Sequence, residues 1–389
     1  MTNEKNYLSN SISLLQKYVE TQNYKGYDPY DTLNSWIPFH WFGKWSPVLA
    51  IQFQKRNPVN IRPLLGIKKG INPKAFGLLL NGYSLLYQKD KNPDNLAKMN
   101  HLFNLLYENP SEGYQGMGWG YNFPWASPVK YLKPFVPSSV VTGFVCKGVF
   151  QYYKATGNDK AKVLLEKARE FILNELPQYQ DDSGLSISYT PVMQDVCYNA
   201  SLLAGEVLAM NYHFNPNESL KTKCVNLVNF VVSRQKPDGS WAYSEDVNTG
   251  RERIQVDFHQ GYVIESIYEI MQLLHIRDEK WEKAIAKGLK YYKEQQFFED
   301  GRSLWRIPKV YPVEIHNQSQ GIITFSKLYQ YDDSYLLFAK QIAEWTTNNM
   351  QAKDGHFYYQ KFKTYSHKIP YMRWSQAWMF LALSNLIKK

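Results

Sequence analysis

Three cysteines in 389 residues, Cys146, Cys197 and Cys224, are too few and too far apart for a disulfide framework, a zinc site or a redox pair, so they read as buried thiols. No resident metal or cofactor is implied. No apolar run approaches the roughly 20 residues of a membrane span, and the opening MTNEKNYLSNSISLLQKY lacks the apolar core of a secretory leader, which points to a cytoplasmic protein. Nucleic-acid-binding motifs are also missing, so the net charge of +10 is read as a general basic field suited to an acidic carbohydrate or to peripheral contact with an anionic surface. With 44% hydrophobic and 21% charged residues, disorder is excluded.

Aromatics are abundant: 30 Tyr and 11 Trp, many in polar, Gly-containing segments rather than in apolar runs. Flat rings with polar edges suit sugars, whose C–H faces stack while their hydroxyls take hydrogen bonds.

The polar turns line up into a repeat of about sixty residues: an amphipathic helix, a Gly turn followed by aromatics, then a more apolar helix. The turns are NPSEGYQGMGWGY from Asn109, DDSGLSISY from Asp181, QKPDGSWAY from Gln235, FEDGRSLW from Phe298 and AKDGHFYY from Ala352. Gly supplies the left-handed backbone each turn needs. The helices that follow share a polar residue before a small one, at Thr142-Gly143, Asn199-Ala200, Gln260-Gly261, Gln320-Gly321 and Gln376-Ala377. A looser sixth unit begins NPKAFGLLLNGY at Asn72.

Helices before the turns carry one apolar stripe and one charged face, as outer elements do, whereas those after the turns are apolar nearly all round, as inner elements are. Six such antiparallel hairpins predict an all-α ring, the (α/α)6 toroid, over one domain of residues 1–389, with 1–70 packing on the ring and 71–389 forming the hairpins. An open solenoid is the rival.

This pattern resembles, from about residue 70 onward, the α/α-toroid enzymes, among them six-hairpin glycosidases and toroidal polysaccharide lyases and epimerases. QKPDGSW is also similar to the Gln-Trp repeat of terpenoid cyclases, but the Asp-rich motif of those enzymes and the zinc site of protein prenyltransferases are lacking. The resemblance implies a carbohydrate-active enzyme more than an isoprenoid cyclase.

In such a ring all inner-helix N-termini open on one face. Asp195 and Asp257 precede neighbouring inner helices, and axes roughly 8–10 Å apart would space two carboxylates as an inverting glycosidase does; each would otherwise be an ordinary helix cap. His259 and His316 are candidate proton shuttles by position, with structural hydrogen bonding as the alternative. Tyr198 as base and Arg373 as carboxylate clamp would instead suit a uronate lyase or epimerase. Trp119, Tyr121, Trp125, Tyr371 and Trp374 are candidates for contact with sugar, with Asn199, Gln260, Asn317, Gln318 and Gln376 as amide donors. Trp241 reads as a plug between repeats. The preferred expectation is hydrolysis of an acidic oligo- or polysaccharide, in capsule or exopolysaccharide metabolism, with lyase or epimerase chemistry, an isoprenoid-handling toroid and a non-catalytic glycan-binding protein as alternatives.

Overall fold

The computed structural model describes residues 2–127 and 131–389, with side chains from Tyr7 onward. Thirteen α-helices appear among the described residues: α1 (Thr2–Thr21), α2 (Ser46–Arg56), α3 (Pro73–Asp90), α4 (Pro93–Glu108), α5 (Ser139–Thr156), α6 (Asp159–Asn174), α7 (Tyr198–Phe214), α8 (Glu218–Ser233), α9 (His259–Leu273), α10 (Glu279–Gln296), α11 (Ile315–Lys327), α12 (Ser334–Met350) and α13 (Ala377–Lys388). Local chemistry sets many of their starts. Asn72, Ser138, Asn158, Asn217 and Asp278 each accept a backbone N–H of the first turn they precede, satisfying groups that a helix start leaves unpaired.

The helices α3, α5, α7, α9, α11 and α13 pack side by side, and α13 returns to α3, so the inner ring closes. The open solenoid is excluded. The outer ring comprises α4, α6, α8, α10, α12 and, from the other end of the chain, α1, which lies against α12 and α13. Ser11 donates to Gln351 at 2.7 Å and Tyr83 to Glu20 at 2.9 Å, tying α1 to both sides of the seam.

One contact recurs around the ring. Gly184, Gly239, Gly301 and Gly355 have positive φ, and a Cβ on any of them would lie closer than 3.0 Å to backbone of α8, α10, α12 and α1 respectively. Each turn thus docks on the outer helix that follows the inner helix it feeds, with α1 taking that place for the last turn. In the first turn the docking residue is Gly116, against Lys167 of α6, whereas Gly113 of the Glu-Gly pair faces open space.

Polar side chains in the inner helices hold the same turns. Thr142 accepts the Trp119 N–H, Ser201 the Ile187 N–H, Gln260 the Trp241 N–H, Gln318 the Ser303 N–H and Gln376 the Phe357 N–H. The three glutamines also donate to a turn carbonyl. The repeated column is therefore Thr142, Ser201, Gln260, Gln318, Gln376, every step 58 or 59 residues, and not the column through Asn199 and Gln320 that the sequence suggests. The corrected column serves the turns, so Gln260, Gln318 and Gln376 are amide clamps on backbone rather than donors to sugar.

Short antiparallel sheets stitch the mouth of the ring. Val196–Cys197 pairs with Ser244–Glu245, which pairs with Glu252–Arg253; Val313–Glu314 pairs with Gln360–Lys361, which pairs with Ser366–His367. Among the described residues no helix is long and apolar enough to cross a membrane.

The docking contact makes a testable distinction between two glycines of positive φ. Gly113→Ala should cost only the backbone penalty of about 1–2 kcal/mol, and Gly355→Ala that penalty plus about 1–3 kcal/mol of overpacking against α1. Denaturant midpoints of the two variants measure the difference; equal losses would contradict the docking role.

Candidate active site

The inner-helix starts converge with the segment between α1 and α3 on one aromatic cleft. Arg373 lies in a π-helical turn, Met372–Gln376, that leads into α13, the kind of irregularity that re-aims side chains at functional sites. Its guanidinium grips Asp28 with two bonds, 2.6 and 2.7 Å, while stacking between Tyr121 and Trp374 at 4.8 Å from each ring. Arg62, fully buried, bonds Asp31 at 2.7 Å and the Asp28 carbonyl at 2.9 Å. These bidentate and charge-assisted contacts are the strong class of polar bond, and they fix the strap that covers one side of the mouth.

Asp257 and His259 stand at the start of α9. Asp257 accepts the His259 backbone N–H at 3.2 Å, as a cap would, and its Oδ1 also lies 2.5 Å from His259 Nδ1. Its Oδ2 faces Arg306 Nε at 3.2 Å and accepts from Gln255 at 2.9 Å. Burial alone would raise the Asp257 carboxyl, but His259 and Arg306 outweigh it and hold it below its ordinary value. The side chain of His259 keeps 14% of its surface exposed against 2% for Asp257, so the imidazole is the reachable member and the carboxylate its support.

His316, in the first turn of α11, stacks on Phe258 at 3.9 Å and bonds the Tyr262 hydroxyl through Nε2 at 2.6 Å. Its other ring nitrogen is buried without a partner among the described residues. Burial, with Lys74 next, pushes its pKa well below the usual imidazole range, so the ring is neutral at physiological pH. His259 and His316 share two neighbours, Phe258 and Tyr262. Trp374 closes this cluster edge-on to His316 at 4.8 Å and donates to Glu314 at 2.9 Å.

Below lies a ring of aromatics with an amine in it. Lys74 Nζ is 4.2 Å from the Phe144 centroid, 5.3 Å from Trp378 and 5.8 Å from Tyr262. Burial lowers its pKa well below the usual lysine value, reinforced by Arg373. Deeper still, Lys147 pairs with Glu206, and Lys327 with Glu265 and Glu269, which fills the ring axis with paired charge. Among the described residues no three His, Cys, Asp or Glu side chains are grouped to hold a metal ion.

Several residues singled out from sequence are placed elsewhere. Trp119 is buried, with its indole N–H on the Leu106 carbonyl, and so is a plug of the same kind as Trp241, whose indole N–H meets Val231; it is not a stacking platform. Trp125 is half-buried in a two-residue strand paired with Leu132. Tyr198 donates to Glu245 at 2.8 Å; burial first and that carboxylate next raise its pKa against the opposing pull of Arg234, so the phenol stays protonated and is not available as a base. Asp195 accepts the Tyr189 N–H at 2.7 Å. Asn199 receives the Cys197 thiol, and Asn317 accepts the Phe258 N–H and donates to the Leu304 and Trp305 carbonyls, so both amides serve local structure. Tyr371 is fully buried under Arg62. His259, His316, Arg373, Trp374, Tyr121 and Asp257 are the sequence candidates that come together. Lys74, Tyr262, Asp28, Glu314 and Arg306 join them without having been foreseen; a lysine two residues past the Asn72 cap, at the start of so apolar a helix, was the available signal for Lys74.

Two searches by sequence, one against protein-family models and one against curated proteins, find no match. Solved structures do match in shape. The cellobiose 2-epimerase of Bacillus thermoamylovorans superposes with a TM-score of 0.65 at 16% identity, over 82% of this chain and 87% of the other. An unsaturated glucuronyl hydrolase specific for heparin gives 0.63 at 13% identity over 98% and 96%, and an α-1,6-mannanase from Salegentibacter 0.60 at 11% over 82% and 89%. The fold is the (α/α)6 toroid. At these identities the likeness to six-hairpin glycosidase-like enzymes concerns architecture.

Neutral burial of His316 has a sign. An unfolded histidine titrates near ~6.5, so its folded, depressed pKa stabilises the protein above that pH, and the contribution is lost as pH falls below it. The difference in denaturant midpoint between wild type and His316→Gln should therefore shrink from pH 7.5 to pH 5. Comparing the two proteins cancels the opposing effect of carboxyls such as Glu265, raised by burial. A constant difference would contradict the buried neutral ring.

Proposed function

We propose that the protein is a carbohydrate-active enzyme that moves a proton at a sugar carbon beside a carbonyl or carboxylate, with His259 as the base. The observation that carries this reading is the Asp257–His259 pair at the mouth of an aromatic cleft. Asp257 holds the Nδ1 proton and thereby leaves Nε2 as the lone-pair nitrogen. Such a base gains from a carboxylate that stabilises the imidazolium once the proton is taken.

The other roles follow from the same cluster. Tyr121 and Trp374 line the cleft on either side of the Arg373 guanidinium, and the Lys74 amine, whose pKa burial lowers, supplies a hydrogen-bond donor for the oxygen on which negative charge builds when the proton leaves. Return of a proton to the opposite face of the carbon would make the overall change an epimerisation, and loss of a leaving group instead would make it an elimination; the neutral His316 holds the Tyr262 hydroxyl in place beside the site. An acidic sugar fits the net charge of +10, and its carboxylate beside Lys74 would favour the charged form of that amine. The names of structural neighbours, sugar epimerases among them, are in keeping with this class.

Hydrolysis by Asp195 and Asp257 is the second reading, favoured by neighbours named as a mannanase and a glucuronyl hydrolase. It asks Asp257 to act as acid or base while bound to His259, Arg306 and Gln255, and a carboxyl held below its ordinary value is a poor general acid.

A panel of reducing disaccharides and uronic-acid oligosaccharides, incubated in deuterium oxide and followed by proton NMR, tests the proposal. Wild type should exchange the hydrogen beside the carbonyl or carboxylate, His259→Gln should lose about 10²–10⁴-fold in rate, and Asp257→Asn should fall between them. New reducing ends without exchange, produced equally by His259→Gln, would replace it with hydrolysis.

A further inference from the structure

From Thr32 to Lys89 the chain contains no Asp or Glu, while it carries eight Lys and Arg. The same stretch holds the largest concentration of exposed apolar surface. Trp36, Trp41, Phe42, Trp45, Leu49 and Phe53 are each 55–77% exposed, and Leu64 reaches 79%. Val59 and Ile71 belong to the same stretch, and of the remaining large hydrophobics left exposed among the described residues Val192 and Met193 alone are adjacent in sequence.

The geometry gathers these side chains. Trp45, Leu49 and Phe53 follow one another at four-residue spacing along α2 and its preceding residue, with exposed Arg56 on the same stripe, while Pro47, Ile51 and Gln54 occupy the buried side. The 3-10 helix Phe39–Phe42 packs on α2 and presents Trp41 and Phe42, and the Trp36 indole donates to the Leu64 carbonyl. Exposed Lys44, Lys68 and Lys69 flank the group. Folding has not turned this face inward. Three tryptophans with lysine and arginine at the border, and no acidic residue in the segment, form the signature of an element that lies in a lipid headgroup layer.

We propose that segment 36–64 is a docking face for an anionic phospholipid surface. α2 separates this face from the site described above: Lys55, on the other side of the helix from Phe53, bonds the Tyr30 hydroxyl at 2.5 Å and lies 5.6 Å from the Trp374 ring. Docking holds α2, which lies beside Trp374 on its inner side, against the headgroups on its outer side. The proposal does not depend on the reaction assigned to His259, because its readout is binding alone.

Flotation of the full chain with vesicles tests it, using phosphatidylcholine alone and phosphatidylcholine mixed with phosphatidylglycerol. Wild type should float with the mixed vesicles only, with a blue shift of tryptophan emission. The triple variant Trp41→Ser/Phe42→Ser/Trp45→Ser should partition at least about tenfold less. Lys44→Glu/Arg56→Glu/Lys68→Glu should lose about fivefold or more per cation. Wild type that stays unbound, or that binds both vesicle types equally, overturns the proposal. So does unchanged binding by the serine variant. A dimer in lipid-free buffer that the serine variant dissociates would assign the face to a second copy, and capture of soluble heparin without vesicle binding would assign it to an acidic polymer; either result rejects the lipid surface.

Discussion

The clamp between five of the six inner helices and their own turns is the constraint from which the rest of the structure follows. A hydroxyl or amide in the early turns of the inner helix binds the turn backbone, and in four turns the Asp-Gly or Ser-Gly glycine lies flat on the next outer helix, Gly116 taking that part in the remaining one. Backbone polar groups that would otherwise be buried unpaired are satisfied at each step, at a scale of about 1 kcal/mol per bond and more if one is orphaned. The contact fixes both the distance and the rotation of consecutive hairpins. Five repetitions bring the last turn onto α1, and the ring closes there.

Closure gives the mouth its chemistry. Asp28 and Arg373 are 345 residues apart in sequence and share a doubly bonded contact, and Arg62 and Asp31 make a second buried pair beside it. Ion pairs of this kind add little net stability against apolar alternatives but are costly to break singly, so they act as locators. Asp28, Asp31 and Asp257 are all bonded to cations or imidazole, and Glu314 is bonded by Trp374 and Gln360, which is why the proposed reaction is assigned to an imidazole.

Much of the architecture was legible because it repeats. Turn glycines, outer stripes and apolar inner helices recur at nearly constant spacing, and periodicity survives individual substitutions. The polar column was misread by two residues at α7 and α11, since Asn199-Ala200 and Gln320-Gly321 satisfy the same pattern as Ser201 and Gln318. Two residues along a helix is about 200° of rotation; Gln320 accordingly points to Glu265 and Thr324 rather than to a turn. Trp119 was misread for a related reason, because a tryptophan beside an inner-helix entry looks the same in sequence whether it faces a ligand or plugs a repeat. Contacts such as Asp28 with Arg373 have no local signature at all, and so the part played by the first seventy residues in the mouth was the least legible.

The account turns on His259 being held by Asp257 with its second nitrogen available to a substrate. Nitrogen-15 NMR of histidine-labelled protein, at alkaline pH where imidazoles are neutral, reads the tautomer directly. The proton should reside on Nδ1 of His259 and move in Asp257→Asn. A proton found on Nε2 would mean that Asp257 does not orient the ring, and the proposed base would have no support.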